Sequence, residues 1–221
     1  MSDEKSNADN SRRKALKNVA AMGVAASLPV GALKPAAAQV AAAPVRGALQ
    51  SLTASEAGTL EAIVARLIPS DDGTPGAKEA RAADYIDRSL AGYLAPSRKA
   101  YAEGLAAVNA YAQSSKGAAF AALAPADQDA VLMAMQKNAV TGIAPNSAAF
   151  LNLMMAHTIQ GTFCDPAYGG NANFIGWDMI GYPGIRMAVA PEEQRMSVKP
   201  KPQRQSAYRD ATLAKGSSHG H

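Results

Sequence analysis

Apolar residues recur at helical spacing through the middle of the chain, in five runs separated by turn signals. The first opens on Thr53-Ala54-Ser55-Glu56. This is the pattern of a capping box, in which a hydroxyl and a carboxylate satisfy the free amides of a first helical turn. Leu60, Ile63, Val64, Leu67 and Ile68 then share one face until Pro69 stops the run. Ser70 to Gly76 (SDDGTPG) reads as a turn. Its Asp71 and Asp72 are not followed by the ligand series of a calcium loop, so they fall to turn and helix-capping duty. The period predicts a second helix from about Ala77 to Leu94, burying Ala83, Ile86, Leu90 and Tyr93. A third runs from about Pro96 to Gln113 on Tyr101, Leu105, Val108 and Ala112. Asp127 to Asn138 makes a fourth on Val131, Leu132 and Met135. Asn146 caps a fifth, where Phe150, Leu153, Met154 and His157 share a face. No run alternates with the period of a half-buried strand. The expected fold is therefore all-α, a small helical bundle of about five helices.

The period is lost between Gly161 and Gly184, in GTFCDPAYGGNANFIGWDMIGYPG. This stretch holds five of the twelve aromatic residues (Phe163, Tyr168, Phe174, Trp177 and Tyr182), the only Trp, the only Cys and six glycines. Such a glycine-rich segment is shaped by its backbone, and the aromatics set in it form a rigid apolar surface that something must cover. Two readings stand open: the five aromatics meet a partner, or Trp177 plugs the bundle's own core.

Charge changes the picture at the two ends. The whole chain carries +4, with a pI near 9.2. Residues 39–194 nevertheless hold ten basic and fourteen acidic residues, a net of −4. A nucleic-acid binder would show its basic patch on the folded body, so that class of partner is excluded. The positive charge sits at the termini. At the N-terminus, Ser11-Arg12-Arg13-Lys14 precedes an apolar run from Val19 to Leu33 and the small residues Ala36-Ala37-Ala38. These are the three parts of a cleavable signal peptide, with cleavage expected between Ala38 and Gln39. The apolar run is too short for a bilayer span of roughly 20 residues. Adjacent Arg12 and Arg13 resemble a twin-arginine signal, although Ala15 stands where that motif usually has Phe. The alternative is an amphipathic anchor left uncut. The expected organisation is a signal at 1–38, a linker at 39–50, the helical domain at 51–190 and a flexible basic tail at 191–221. That tail has almost no apolar residues and should not order by itself. His219 and His221 on its end carry no metal site on their own.

Few groups in the body can do chemistry. There is no Gly-x-Gly-x-x-Gly and no P-loop. A single cysteine excludes a Cys-x-x-Cys-His haem attachment, an iron–sulfur ligand set and a zinc finger. His157 is the one histidine of the body and Cys164 lies seven residues on, so a Cys–His pair oriented by Asp165 can be drawn. The competing reading places His157 on the core-facing stripe, hydrogen-bonded and inert. An unpaired Cys164 in an exported chain is either a buried thiol or a disulfide to another chain. No cofactor or metal site is expected in this chain.

Several segments together resemble a known family. Ala65-Arg66-Leu67-Ile68-Pro69-Ser70-Asp71, Thr74-Pro75-Gly76-Ala77 and Tyr85-Ile86-Asp87 are similar to the first half of the gluconate 2-dehydrogenase small-subunit family (subunit 3). Gln160-Gly161-Thr162-Phe163, Asp165-Pro166-x-Tyr168-Gly169-Gly170-Asn171, Gly176-Trp177 and Ile180-Gly181-Tyr182-Pro183-Gly184 are similar to its second half. The resemblance covers roughly residues 50–186. It implies a place in a three-part, membrane-associated dehydrogenase facing the periplasm. In such a complex a large subunit carries FAD and oxidises a sugar acid, sugar or alcohol, and a multihaem cytochrome c takes the electrons on. The small subunit is expected to be non-catalytic and to help the flavoprotein fold and leave the cell. Membrane contact would then come only through the complex. A free-standing enzyme using Cys164, His157 and Asp165, or a periplasmic binding module for a sugar or quinone, are the alternatives.

Overall fold

The computed structural model describes residues 48–186 and 188–209. Arg12, Arg13, Ala38 and Gln39 lie outside the described residues, as do His219 and His221. Among the described residues six α-helices form: α1 (Ala54–Leu67), α2 (Ala82–Leu90), α3 (Arg98–Lys116), α4 (Pro125–Gln136), α5 (Ser147–Phe163) and α6 (Ile175–Ile180). Among the described residues there is no strand, only an isolated bridge between Asp71 and Thr74 across the turn after α1. The all-α expectation holds.

The capping box is formed as the sequence predicts. Glu56 N–H donates to Thr53 Oγ1 at 3.3 Å, and Thr53 N–H donates to Glu56 Oε2 at 2.7 Å. The Arg98 guanidinium then donates to both oxygens of Glu56, at 3.0 and 2.8 Å, tying the start of α1 to the start of α3. The core is built from Leu60, Ile63 and Val64 of α1, Ile86 and Leu90 of α2, Tyr101, Leu105 and Val108 of α3, Val131 and Met135 of α4, and Phe150 and Met154 of α5. These are the stripes that the 3.6-residue period marks out.

Three boundaries differ from expectation, each for a local reason. Helix α2 is half the predicted length. Residues 77–81 form turns instead, with Arg81 in the left-handed region (φ 60°), and the Ala80 carbonyl is taken by a distant amide, Ala172 N–H, at 3.0 Å. Because α2 ends at Leu90, Tyr93 leaves the buried face and is 64% exposed. Pro96 belongs to a 3₁₀ turn before α3, and α3 runs on to Lys116, where Gly117 (φ 82°) provides the left-handed C-cap. Helix α4 starts earlier, with Pro125 at its first position, where its missing N–H costs nothing. Asn146 does cap α5, accepting from Ala149 N–H at 2.9 Å.

The segment 48–52 is fixed by one carboxylate. Asp87, 5% exposed on α2, accepts N–H donors from Gln50, Ser51 and Leu52 at 2.7, 3.0 and 2.7 Å. Buried carboxylates need such donors, and three backbone amides replace the water that Asp87 loses. Among the described residues no helix is long and apolar enough to cross a membrane.

Candidate functional site: a glycine and aromatic clasp on α5

Residues 164–184 fold back along the last two turns of α5 and reach α2, forming a clasp. Close backbone approach makes this possible. A Cβ on Gly170 would stand 2.0 Å from Gly161 O, and one on Gly176 would stand 1.9 Å from Thr162 O. Only glycine fits at either position.

Asn171 sets the clasp's shape. It is fully buried and left-handed (φ 42°), a region that Asn tolerates better than most residues. Its backbone N–H donates to Gly161 O at 2.8 Å, its Nδ2 donates to Cys164 O at 2.7 Å, and its Oδ1 accepts from Gly176 N–H at 2.7 Å. One side chain thus joins both ends of the turn to α5. Asn173 (φ 55°) and Phe174 (φ 62°) follow in the same region, and a bulky Phe there is held only by its surroundings. The sequence signal for this role was present in Asp-Pro-x-Tyr-Gly-Gly-Asn, but no hydrophobic period assigns a partner to a lone Asn.

The five aromatics divide between two tasks. Trp177 is 7% exposed, and its Nε1–H donates to Phe163 O at 3.0 Å. Its ring meets Phe174 at 5.3 Å and, edge-on, Tyr182 at 4.9 Å. It is therefore covered by its own chain, packing within the clasp rather than in the centre of the bundle. Tyr168 and Tyr182 are 48% and 41% exposed, while Phe163 and Phe174 are half-buried. Helix α6 itself was not expected. Its six residues place Trp177 inward and leave Ile180 exposed.

Beside the clasp lies an open, apolar groove of about 520 Å³, lined by Tyr85, Tyr93, Ile159, Gln160, Phe163, Cys164 and Tyr168. The hydroxyls of Tyr85 and Tyr93 hydrogen-bond to each other, and both reach Gln160 Oε1, at 3.4 and 3.3 Å. Burial and the neighbouring Tyr93 push the Tyr85 hydroxyl well above the usual tyrosine range. The short α2 is what brings Tyr93 to this rim.

Cys164, His157 and Asp165 are not brought together as a catalytic set. His157 is buried, and its Nδ1 hydrogen-bonds the Tyr101 hydroxyl at 2.9 Å with the rings stacked at 5.9 Å. Burial lowers its pKa and so favours the neutral ring. Asp165 accepts from Ala167 N–H, Ser206 Oγ–H and Ala207 N–H at 2.9, 2.6 and 2.8 Å. Cys164 lies two helical turns beyond His157, roughly 10 Å along the axis. Its half-buried thiol packs on the core, contacts Gly161 O at 3.6 Å and is pushed up to about 11 by burial. A nucleophilic cysteine needs the opposite shift. Among the described residues no group of acidic, Cys or His side chains is placed to hold a metal ion.

Residues 203–208 return to the clasp, where Arg204 pairs with Asp178, Ser206 with Asp165, and Tyr208 with Tyr168. The residues beyond Arg209 lie outside the described part.

An all-helical body closed by a glycine and aromatic clasp defines the class of this domain. The sequence profile described as Gluconate 2-dehydrogenase subunit 3 matches residues 54–184, more than half of the 221-residue chain. The chain belongs to the gluconate 2-dehydrogenase subunit 3 family, and with that goes membership of a multi-subunit dehydrogenase. No curated protein and no solved structure gives a significant match.

Proposed function

We propose that the chain is the non-catalytic small subunit of a periplasmic, membrane-associated dehydrogenase. Its large subunit would carry FAD and oxidise a sugar acid, sugar or polyol, and a multihaem cytochrome c would receive the electrons. The task of this chain is to support folding, export and stability of the flavoprotein. The observation that carries the reading is the family match, which spans helical body and clasp as one unit. The geometry supports it in two ways. The groups that an enzyme of its own would use are engaged elsewhere, His157 with Tyr101 and Asp165 with the tail. The groove also leaves Tyr93, Ile159 and Tyr168 exposed, an apolar rim of the kind that partners cover. On this reading Phe163, Tyr168 and Tyr182 contribute to the partner face, while Trp177 and Phe174 brace it from within. A disulfide from Cys164 to the flavoprotein would require turning the thiol out of its packing, and the geometry favours the unbonded thiol.

The twin-arginine signal at Arg12 and Arg13 serves both chains, because a flavoprotein that acquires its cofactor in the cytoplasm must cross the membrane folded. Replacing both arginines by Lys should strand this chain and the large subunit in the cytoplasm together, read by fractionation and immunoblot of each. A large subunit that still reaches the periplasm would overturn the escort role.

A further inference from the structure

Residues 203–208 enter the clasp in the manner of a bound peptide. Gln203 N–H donates to Pro183 O at 2.9 Å. The Arg204 guanidinium donates to both oxygens of Asp178, through Nη2 at 2.7 Å and Nε at 3.3 Å. Ser206 Oγ–H and Ala207 N–H each take one oxygen of Asp165, at 2.6 and 2.8 Å. The Tyr208 ring stands edge-on to Tyr168 at 5.4 Å and 80°, with the two hydroxyls hydrogen-bonded. Ser206 is 3% exposed and Ala207 half-buried, whereas residues 195–205 are open to solvent. Arg204 is left-handed (φ 46°), a backbone state that a non-glycine residue keeps only when its surroundings fix it.

We propose that Asp165, Asp178 and Tyr168 form a docking site for an Arg-x-Ser-x-Tyr peptide, and that its occupant is the chain's own residues 204–208. Three features select this occupant. A bidentate arginine matches the exposed carboxylate of Asp178, and a serine–amide pair matches both oxygens of Asp165. The charges are complementary on the larger scale as well, the body at −4 against a tail from Arg195 at +5. The tether is also long enough to release the segment without disturbing the bundle. Among the described residues between Gly184 and Gln203 the only regular structure is the single turn Pro191–Gln194. Because Tyr168 belongs to both the docking site and the rim of the groove, release of the tail frees the Tyr168 end of that rim. It follows that the tail and the flavoprotein compete for one surface. That consequence alone rests on the partner reading; the docking itself is tested on the isolated chain, so the two fail separately.

Hydrogen exchange at the amides of Gln203 and Ala207 reads occupancy directly in the full-length chain. Asp178→Arg and Arg204→Asp should each speed exchange there at least tenfold, and the double charge swap should restore most of the protection. Ser206→Ala, which lies outside the helical body and cannot unfold it, should also speed exchange at Ala207. A fluorescent peptide spanning residues 199–208 should bind the Arg204→Asp chain, whose site is vacated, and bind the wild type far more weakly. A wild-type chain that binds the peptide as well as the variant does, unchanged exchange in the single variants, or a charge swap without recovery would each overturn the proposal.

Discussion

Cys164 and His157 are adjacent in any sequence-based search for chemistry, and burial sends both away from it. With the thiol pushed up to about 11 by burial, from an ordinary value of 9.0, the thiolate at pH 8 falls about 100-fold. The more basic thiolate is about eightfold more nucleophilic, leaving a net slowing of roughly tenfold. Alkylation of the native chain with iodoacetamide at pH 8 should show that slowing relative to the urea-unfolded chain. Equal rates would mean that the thiol stands in solvent. For His157 the folded pKa is lowered by burial, whereas the unfolded ring titrates near 6.5. Below that value the unfolded chain binds a proton that the folded chain resists. Stability is therefore full above about pH 6.5 and falls as pH drops, by at most about 1.4 kcal/mol per pH unit. Urea midpoints measured from pH 7.5 to 5.5 should decline in the wild type and flatten in His157→Gln. A parallel decline in that variant would assign the effect to another group. The helix period had placed His157 on the core stripe, and its neighbour across that core, Tyr101, lies on another helix that no local pattern could pair with it.

At the scale of elements, the contrast is between period and closure. Helices α1, α3, α4 and α5 were legible because each buries one stripe against the others, and their caps at Thr53 and Asn146 follow from side-chain chemistry alone. The clasp was legible only as an interruption. Its composition announced a backbone-shaped segment with a covered aromatic face. It did not announce that Trp177 would be covered from within, or that α2 would be cut short so that Ala80 could receive Ala172. Those outcomes depend on Asn171, whose contacts are all several residues away or on another element. Asn171→Ala leaves Cys164 O and Gly176 N–H without their partner. Each orphaned buried group costs about 1–3 kcal/mol, so the loss should reach about 2 kcal/mol or more. The melting temperature should fall with the helical signal retained below the transition. A variant that melts like the wild type would show that water replaces the side chain and that Asn171 is not the linchpin.

Across the whole molecule, the bundle and clasp differ in how they are secured. The bundle buries large side chains completely, among them Tyr101, Phe120, Leu60 and Met154, while the clasp is held mostly by hydrogen bonds and half-buried rings. Regions with fewer buried apolar contacts open at lower free energy than the core. Trp177 is the only Trp and lies in the clasp, so its emission reports that region alone. In urea, Trp177 fluorescence should change at a lower midpoint than ellipticity at 222 nm. Coincident midpoints would make clasp and bundle one cooperative unit.

The hydrogen bond from Ala172 N–H to Ala80 O also sets a schedule for the chain's birth. The two groups are more than ninety residues apart, and neither is satisfied by a local neighbour. A ribosome that has delivered α1 to α4 has therefore made a bundle in which the turn before α2 still carries an open carbonyl and α2 lacks α5 against its face. Contacts of such long separation form late, because loop closure precedes any gain from them. The last quarter of the polypeptide thus acts as a completion mark, and a chain broken off before Asn171 is distinguishable from a finished one by its unsealed flank. Quality control that reads exposed apolar surface has in this fold a signal that disappears only once residues 171–176 have been made.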